Sequence, residues 1–267
     1  MAALVSIGWA AVERARGAYA DALRLAEAGT RLAEDHSHPW FAAYGNAVLA
    51  WIWTELGDAE RAMGHGERAV AAAERDGVAN WVVRAQAHLA WAAWAAGDRA
   101  RAVDHADRAE ALLAAVRTPP GLAFLHGGHA YVATARVRLG QGEHDRVKAL
   151  LEPLLSVAGS VPWLEVVIDA SIVLGRSHLV GGWAEEAERL LVHAARLAEA
   201  HGFARATWEA NAALSGLLRT AGHVERAEER MSAALAAVRR AASSLEDATL
   251  AARFPGHPLG VLELAPV

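Results

Sequence analysis

Glycine recurs at a nearly constant spacing along this chain of 267 residues. Six glycines are separated by steps of 40, 40, 45, 40 and 40 residues: Gly17, Gly57, Gly97, Gly142, Gly182 and Gly222. The surrounding sequence repeats as well, because residues 47–74 align with residues 87–114 without a gap. A fixed period of this length is typical of a repeat architecture, in which each unit buries its apolar face against its neighbours. The spacing therefore predicts about six stacked units.

Each unit reads as two helices joined at the glycine, which we call helix A and helix B. The glycine supplies the left-handed residue that ends helix A, and Asp58 or Asp98 directly after it can cap helix B. Small residues recur five positions after the glycine, where two helices approach closely: Ala22, Ala62, Ala102, Ala187 and Ala227. No stretch keeps the alternating pattern of a strand. We therefore predict an all-α fold, a right-handed α-solenoid of about six helix-turn-helix repeats with a period of about 40.

These units resemble tetratricopeptide (TPR) repeats. The matching residues are the turn glycine, the small residues of helix B, and the leucine-small pairs of helix A, which are Leu49-Ala50, Leu89-Ala90 and Leu174-Gly175. The period is longer than the family's usual one, and most repeats lack the proline that often closes the unit. In this respect the chain is similar to the elongated repeats in the sensor regions of large bacterial ATP-dependent transcription regulators. The resemblance implies a TPR-like fold and a regulatory binding role in a bacterium.

The repeats divide the chain into a solenoid over residues 1–242 and a C-terminal helix and tail over residues 243–267. The single long step in the glycine spacing places extra residues near 115–122, and Pro153 falls inside helix B of the unit that follows. Proline removes a backbone donor and is expected to kink or end that helix. We expect a seam near 115–122 within one bent solenoid, because repeat stability comes from contacts between neighbours.

Composition excludes several kinds of site. The chain has no cysteine, so disulfides and thiolate zinc sites are excluded, and a cytoplasmic location is expected. A formal net charge of −5 with a single lysine, Lys148, argues against direct nucleic-acid binding. No apolar run is long enough to cross a membrane. His126 and His129 lack a convincing third ligand, so no metal is expected, and no motif predicts a cofactor. The oligomeric state is left open.

In TPR proteins helix A lines the concave face on which partners bind, so the resemblance implies a groove along the A helices. Residues at matched positions there are aromatic in the second and third repeats and charged in the later ones. The predicted binding residues are Tyr44, Trp51, Arg84, Trp91, Trp94, His129, Arg136, Asp169, Arg176, Glu209 and Arg219. Such a groove suits a peptide, a protein segment or a small-molecule effector with an apolar part and a carboxylate or phosphate. The leading hypothesis is a non-catalytic binding or sensor module.

Several alternatives stay open at this point. The groove tryptophans can instead fill gaps between repeats, as we expect for Trp9 and Trp53, and the remaining histidines, His88 among them, are scattered without a pattern. Arg136 and Arg176 can pair with Asp169 and Glu209 to join adjacent units. A second hypothesis is an enzyme that uses the groove as an apolar chamber, with His129 and Asp169 as acid and base. A third is a scaffold that associates with itself.

Overall fold

The computed structural model describes residues 1–77, 79–115, 120–157 and 163–254. Within these ranges the chain forms thirteen helices and no strand, so the all-α prediction is confirmed. The helices of the six repeats are α1 Ala2–Arg16 and α2 Tyr19–Asp35, α3 Pro39–Glu55 and α4 Ala59–Asp76, α5 Ala79–Ala95 and α6 Arg99–Ala115, α7 Pro120–Gly140 and α8 His144–Val157, α9 Leu164–Val180 and α10 Ala184–His201, and α11 Ala204–Thr220 and α12 Val224–Ala242. A short helix, α13 Ala248–Arg253, follows them.

The turn between helix A and helix B is the same in all six repeats. The six periodic glycines have φ between 75° and 82°, a region that residues with a side chain avoid. After two of these glycines, Asp58 Oδ1 accepts the backbone N–H of Arg61 at 3.0 Å and Asp98 Oδ1 accepts that of Arg101 at 3.1 Å. These are the left-handed helix end and the helix cap that the sequence predicted.

Alanine dominates the core, which lets the helices pack closely. In α10 and α11 one cluster joins Leu191, Ala194 and Ala198 to Ala210 and Leu214. Close approach also explains why glycine stands inside α4, because a Cβ on Gly66 would lie 2.7 Å from Leu89 Cδ1. Large side chains of one helix A therefore pack against small residues of the preceding helix B.

Helix α8 does not end at Pro153 but continues to Val157, since the buried Leu151 and Leu154 on either side hold this segment against the core. The expected end of the helix at Pro153 was therefore wrong, and a kink there stays a prediction. Trp53 is buried as expected, but Trp9 is 55% exposed. Periodicity places Trp9 at an inter-repeat position without revealing whether a helix packs against it.

The helices form two compact units. The first consists of Met1–Arg14 and Tyr19–Gln141, and the second of Ala15–Ala18 and Gly142–Val267. Residues 116–119 of the seam expected near 115–122 lie outside the described residues, as do residues 255–267 of the tail. The division into a solenoid over 1–242 and a segment over 243–267 stays a prediction. In the described part of the chain, no helix combines the length and apolar character needed to cross a membrane.

Candidate binding site in the first unit

Trp51 of α3 is surrounded by rings and a guanidinium from three other helices of the first unit. The Arg14 Cζ atom of α1 lies 3.5 Å from the centroid of the Trp51 ring. The centroids of His88 on α5 and His129 on α7 lie 4.9 Å and 4.8 Å from the Trp51 ring. Trp91, also on α5, lies 6.5 Å away and meets Trp51 edge-on. Spacings of three and four residues place Arg84, His88 and Trp91 on one face of α5.

Two further arginines extend this arrangement. The Arg84 Cζ atom lies 4.9 Å from the ring centroid of Tyr44, and the Arg136 Cζ atom lies 5.1 Å from that of Trp91. Each of these two arginines is only 8% exposed. The stacked layer, as we call this group, consists of Arg14, Tyr44, Trp51, Arg84, His88, Trp91, His129 and Arg136. Cation–π contacts of this kind strengthen when the charge is shielded from water.

A buried carboxylate balances the charge of Arg14 in the stacked layer. Arg14 is fully buried, and its Nη1 lies 2.6 Å from Glu55 Oε1. The hydroxyl of Tyr19 donates a hydrogen bond to Glu55 Oε2 at 3.0 Å. A buried arginine needs such a partner because an isolated charge is costly to remove from water. The Arg14–Glu55 pair therefore fixes α1 against α3 and orients the guanidinium over Trp51.

The centre of the stacked layer holds polar atoms without hydrogen-bond partners among the described residues. These atoms are Nε1 of Trp51 and both ring nitrogens of His88, in side chains that are 3% and 1% exposed. Burial lowers the pKa of His88 well below 6.5, and the positive charges of Arg84 and Arg14 lower it further. The imidazole is therefore neutral near pH 7, with one N–H donor and one acceptor. Together the two rings present two donors and one acceptor near the guanidinium groups of Arg84 and Arg14.

Trp94, another predicted binding residue of this unit, contacts different groups. Its ring lies against Gly140 of α7, where a Cβ would come within 2.2 Å of the indole. The Arg99 Cζ atom lies 3.6 Å from the Trp94 ring centroid, and Arg99 Nη1 donates to the Trp94 carbonyl at 2.7 Å. These contacts tie α5 to α6 and α7, which is the gap-filling role that the sequence left open for the groove tryptophans.

The remaining predicted residues belong to the second unit. Asp169 of α9 is ion-paired with Arg205 of α11, and Glu209 Oε2 lies 3.2 Å from Arg205 Nη1. All three side chains are buried, whereas Arg176 is half-buried and Arg219 exposed. His129 lies in the first unit and Asp169 in the second, so the acid–base pair stays a prediction. No group of three metal-ligating side chains occurs within the residues described.

Sequence reasoning missed three residues that organise these clusters. Arg14 stands three residues before its turn glycine, in the same row as the predicted residues Trp94 and Arg219, but it was not included among the binding residues, and Arg205 lies outside the rows that suggested the groove. His88 was set aside as scattered, yet it lies four residues after Arg84 and three before Trp91. The helical spacing alone would have placed it on the face of these two predicted residues.

No family model and no curated protein matches this sequence. Among solved structures, the chain is similar to a variant of a putative kinesin light chain from Podosopora anserina, described as nearly identical TPR-like repeats, with 19% identity over 73% of this chain and 93% of that chain and a TM-score of 0.50. The parent of that variant gives a TM-score of 0.49 at the same identity. A circular tandem repeat protein covers 98% of this chain at 17% identity, with a TM-score of 0.28. At this identity the likeness concerns the fold alone. The chain has a TPR-like helical-repeat fold.

Proposed function

We propose that this chain is a non-catalytic interaction module that binds an anionic peptide segment or small effector at the stacked layer of its first unit. The helical-repeat fold supports a protein-interaction or scaffold role at the coarse level. The chemical class of the ligand is inferred from the buried polar atoms of Trp51 and His88. This role is consistent with the cytoplasmic location that the cysteine-free sequence predicts.

The observation that carries the proposal is the set of buried ring nitrogens without partners. A buried donor or acceptor left unpaired costs about 1–3 kcal/mol, so such atoms usually meet water or a ligand. Trp51 Nε1 and the protonated nitrogen of His88 both donate, which suits a carboxylate, sulfonate or phosphate oxygen. The neutral state of His88 keeps one nitrogen available as an acceptor for a hydroxyl or amide of the ligand.

The surrounding residues define the rest of the ligand. Arg84 and Arg136 add positive charge at the layer, which favours an anion. Tyr44, Trp91 and His129 are only partly buried, so an apolar part of the ligand can contact the exposed portions of these residues. The expected ligand therefore joins an apolar or aromatic body to an acidic group. An acidic segment of a partner protein and a small aromatic acid share this chemistry.

A matched pair of fluorescent probes tests the ligand class. The probe 8-anilinonaphthalene-1-sulfonate carries an aromatic body and an anion, and N-phenyl-1-naphthylamine has the same body without the sulfonate. We expect the sulfonate to bind one site per chain, with Kd about tenfold below that of the neutral probe. Equal affinity for both probes would remove the anionic part of the proposal.

Substitutions then locate the binding site. His88→Phe keeps a ring against Trp51 but removes both nitrogens, so we expect about tenfold weaker sulfonate binding together with a gain of about 1 kcal/mol in stability. Arg84→Gln is expected to weaken binding as well, while Arg108→Gln, at an exposed ion pair on α6, serves as the control. Circular dichroism verifies that helicity is kept. Unchanged affinity in both His88→Phe and Arg84→Gln would reject this site.

A further inference from the structure

His88 differs from other helical histidines of the chain in the surroundings of its ring nitrogens. Three of those histidines, His65, His105 and His144, have Nδ1 within 2.7–3.1 Å of a neutral side-chain oxygen on a neighbouring helix. Neither ring nitrogen of the buried His88 has a hydrogen-bond partner among the described residues. Within the described part of the chain, no hydrogen bond therefore fixes the protonation state of His88.

Two guanidinium groups act on the His88 ring. Arg84 lies one helical turn before it on α5, and Arg14 of α1 lies over the Trp51 ring that His88 also contacts. Burial lowers the pKa of His88 well below 6.5, and the charges of Arg84 and Arg14 lower it further. Arginine is not deprotonated in proteins, so neither guanidinium can receive a proton when a ligand binds.

Two other titratable side chains lie close to this ring. Glu55 of α3 is paired with Arg14 at 2.6 Å, and the ring of His129 on α7 contacts Trp51 with 4.8 Å between centroids. Of the two imidazoles at Trp51, His88 is the more deeply buried. A negative charge placed beside His88 is therefore screened less by water than one beside His129.

We propose that the stacked layer binds its acidic ligand together with one proton, which His88 takes from the solvent. The inference rests on the proposed function, because the ligand supplies the negative charge. A neutral His88 ring has one N–H that donates to the ligand and one nitrogen that carries a lone pair. An opposite charge at hydrogen-bond distance favours the charged form of a ring, so the second nitrogen of His88 becomes protonated beside the anion.

Proton uptake makes binding of the ligand depend on pH. Without ligand, burial and the two arginines hold the pKa of His88 well below 6.5, whereas a bound anion raises this pKa. Between the two pKa values the liganded chain carries one proton more than the unliganded chain. Affinity therefore rises as the pH falls and levels off below the lower pKa, by at most about tenfold per pH unit for one proton. Mild acid strengthens binding, and neutral pH favours release.

Isothermal titration calorimetry measures the proton taken up. Binding of 8-anilinonaphthalene-1-sulfonate is followed in Bis-Tris and in imidazole, two cationic buffers with different ionisation enthalpies, between about pH 7.5 and 5.5. The sulfonate stays ionised in this range, so any proton that enters the complex goes to the protein. We expect uptake that increases toward one proton per chain as the pH falls, with Kd falling in parallel. N-phenyl-1-naphthylamine, which lacks the sulfonate, should bind without proton uptake, and circular dichroism verifies helicity at each pH.

Nitrogen NMR identifies the residue that receives the proton. In the full chain labelled with ¹⁵N-histidine, the ring signals absent from His88→Phe belong to His88. We expect a neutral ring without ligand at about pH 6.5 and a shift of its signals toward those of an imidazolium when the sulfonate is added. His178 is the matched control, since burial also lowers its pKa but it lies in the second unit beside Trp183. Its signals should not change, and His178→Gln should leave the proton uptake unchanged.

Two results would overturn this proposal and leave the binding site in place. The first is sulfonate binding that Arg84→Gln weakens but that takes up less than about a tenth of a proton at every pH. The second is full proton uptake that persists in His88→Phe, because another group would then receive the proton. Sulfonate binding that neither His88→Phe nor Arg84→Gln weakens would reject the site itself, and the proton uptake with it.

Discussion

Arg205 is a buried cation that pairs with two buried carboxylates of the second unit. It pairs with Asp169 and Glu209, and all three side chains are buried. We predict that Arg205→Met lowers the free energy of unfolding by about 3–5 kcal/mol, because two buried ion pairs lose their cation while the carboxylates stay away from water. Urea unfolding measures the change. Arg226→Met, at an exposed ion pair with Glu188, should change stability by less than about 0.5 kcal/mol. A loss below about 1 kcal/mol for Arg205→Met would contradict this assignment.

His65 makes the first unit sensitive to acid. Its Nδ1 lies 2.9 Å from Asn46 Oδ1, which also accepts from Arg68 Nε at 3.2 Å. Burial lowers the pKa of His65 from 6.5 to about 4, with smaller contributions from Arg68 and Arg61. Between these two pH values the unfolded chain binds more protons than the folded chain, so stability falls as the pH falls from 6.5 to about 4.

His65→Gln removes this titration while keeping a side chain that can donate to Asn46. We therefore predict a shallower loss of stability between pH 6.5 and pH 4, measured as urea midpoints at several pH values across the interval. His36→Gln, at an exposed loop position, is the control for the loss of a histidine. If His65→Gln and the unsubstituted chain lose stability in parallel, His65 is not the group responsible.

At the scale of the helix pair, the turn glycines give a matched comparison. Gly97 and Gly17 have φ of 82° and 80°, but only Gly17 is crowded, since a Cβ there would lie 2.8 Å from the Ala204 Cβ. Gly97→Ala should cost about 1–2 kcal/mol for the left-handed backbone alone. Gly17→Ala should cost about 1–3 kcal/mol more for overpacking. Thermal or urea unfolding measures both costs, and Ala204→Gly should recover part of the excess of Gly17→Ala, since Ala241 Cβ would still lie 3.2 Å from the new methyl group. Equal costs at the two glycines would contradict the packing on Ala204.

The same turns explain how much of the fold was predictable. A left-handed residue followed by a capping aspartate is a local requirement, so Gly57-Asp58 and Gly97-Asp98 reveal the helix pair without tertiary information. Trp9 shows what periodicity does not predict, because a position that recurs in each repeat does not reveal whether a neighbouring helix covers its side chain. For the candidate site, the repeat spacing predicted four residues that lie together in the stacked layer: Trp51, Arg84, Trp91 and Arg136. It missed the Asp169–Arg205 pair, since ion pairing between helices depends on side-chain direction as well as on position.

At the scale of the whole chain, each unit has its own buried clusters. One cluster of the first unit joins Ala3 to Ala85, and one of the second joins Ile168 to Leu214. Where repeats are stabilised by neighbour contacts, damage to one region unfolds that region first. Tryptophan is distributed unevenly, with seven residues in the first unit and three in the second, Trp163, Trp183 and Trp208. Fluorescence therefore reports mainly on the first unit, whereas circular dichroism reports on all helices.

This asymmetry gives a test of whether the two units unfold separately. Arg205→Met should lower the urea midpoint seen by circular dichroism more than the midpoint seen by fluorescence. Ile52→Ala, which removes about 2–5 kcal/mol of packing from a fully buried position of α3, should lower the fluorescence midpoint more. If both probes move together in both variants, the chain unfolds as one cooperative unit. If the fluorescence midpoint is the lower one in Ile52→Ala and the circular dichroism midpoint is the lower one in Arg205→Met, each unit keeps its own core when the other has unfolded. A single cooperative transition cannot give both of these results.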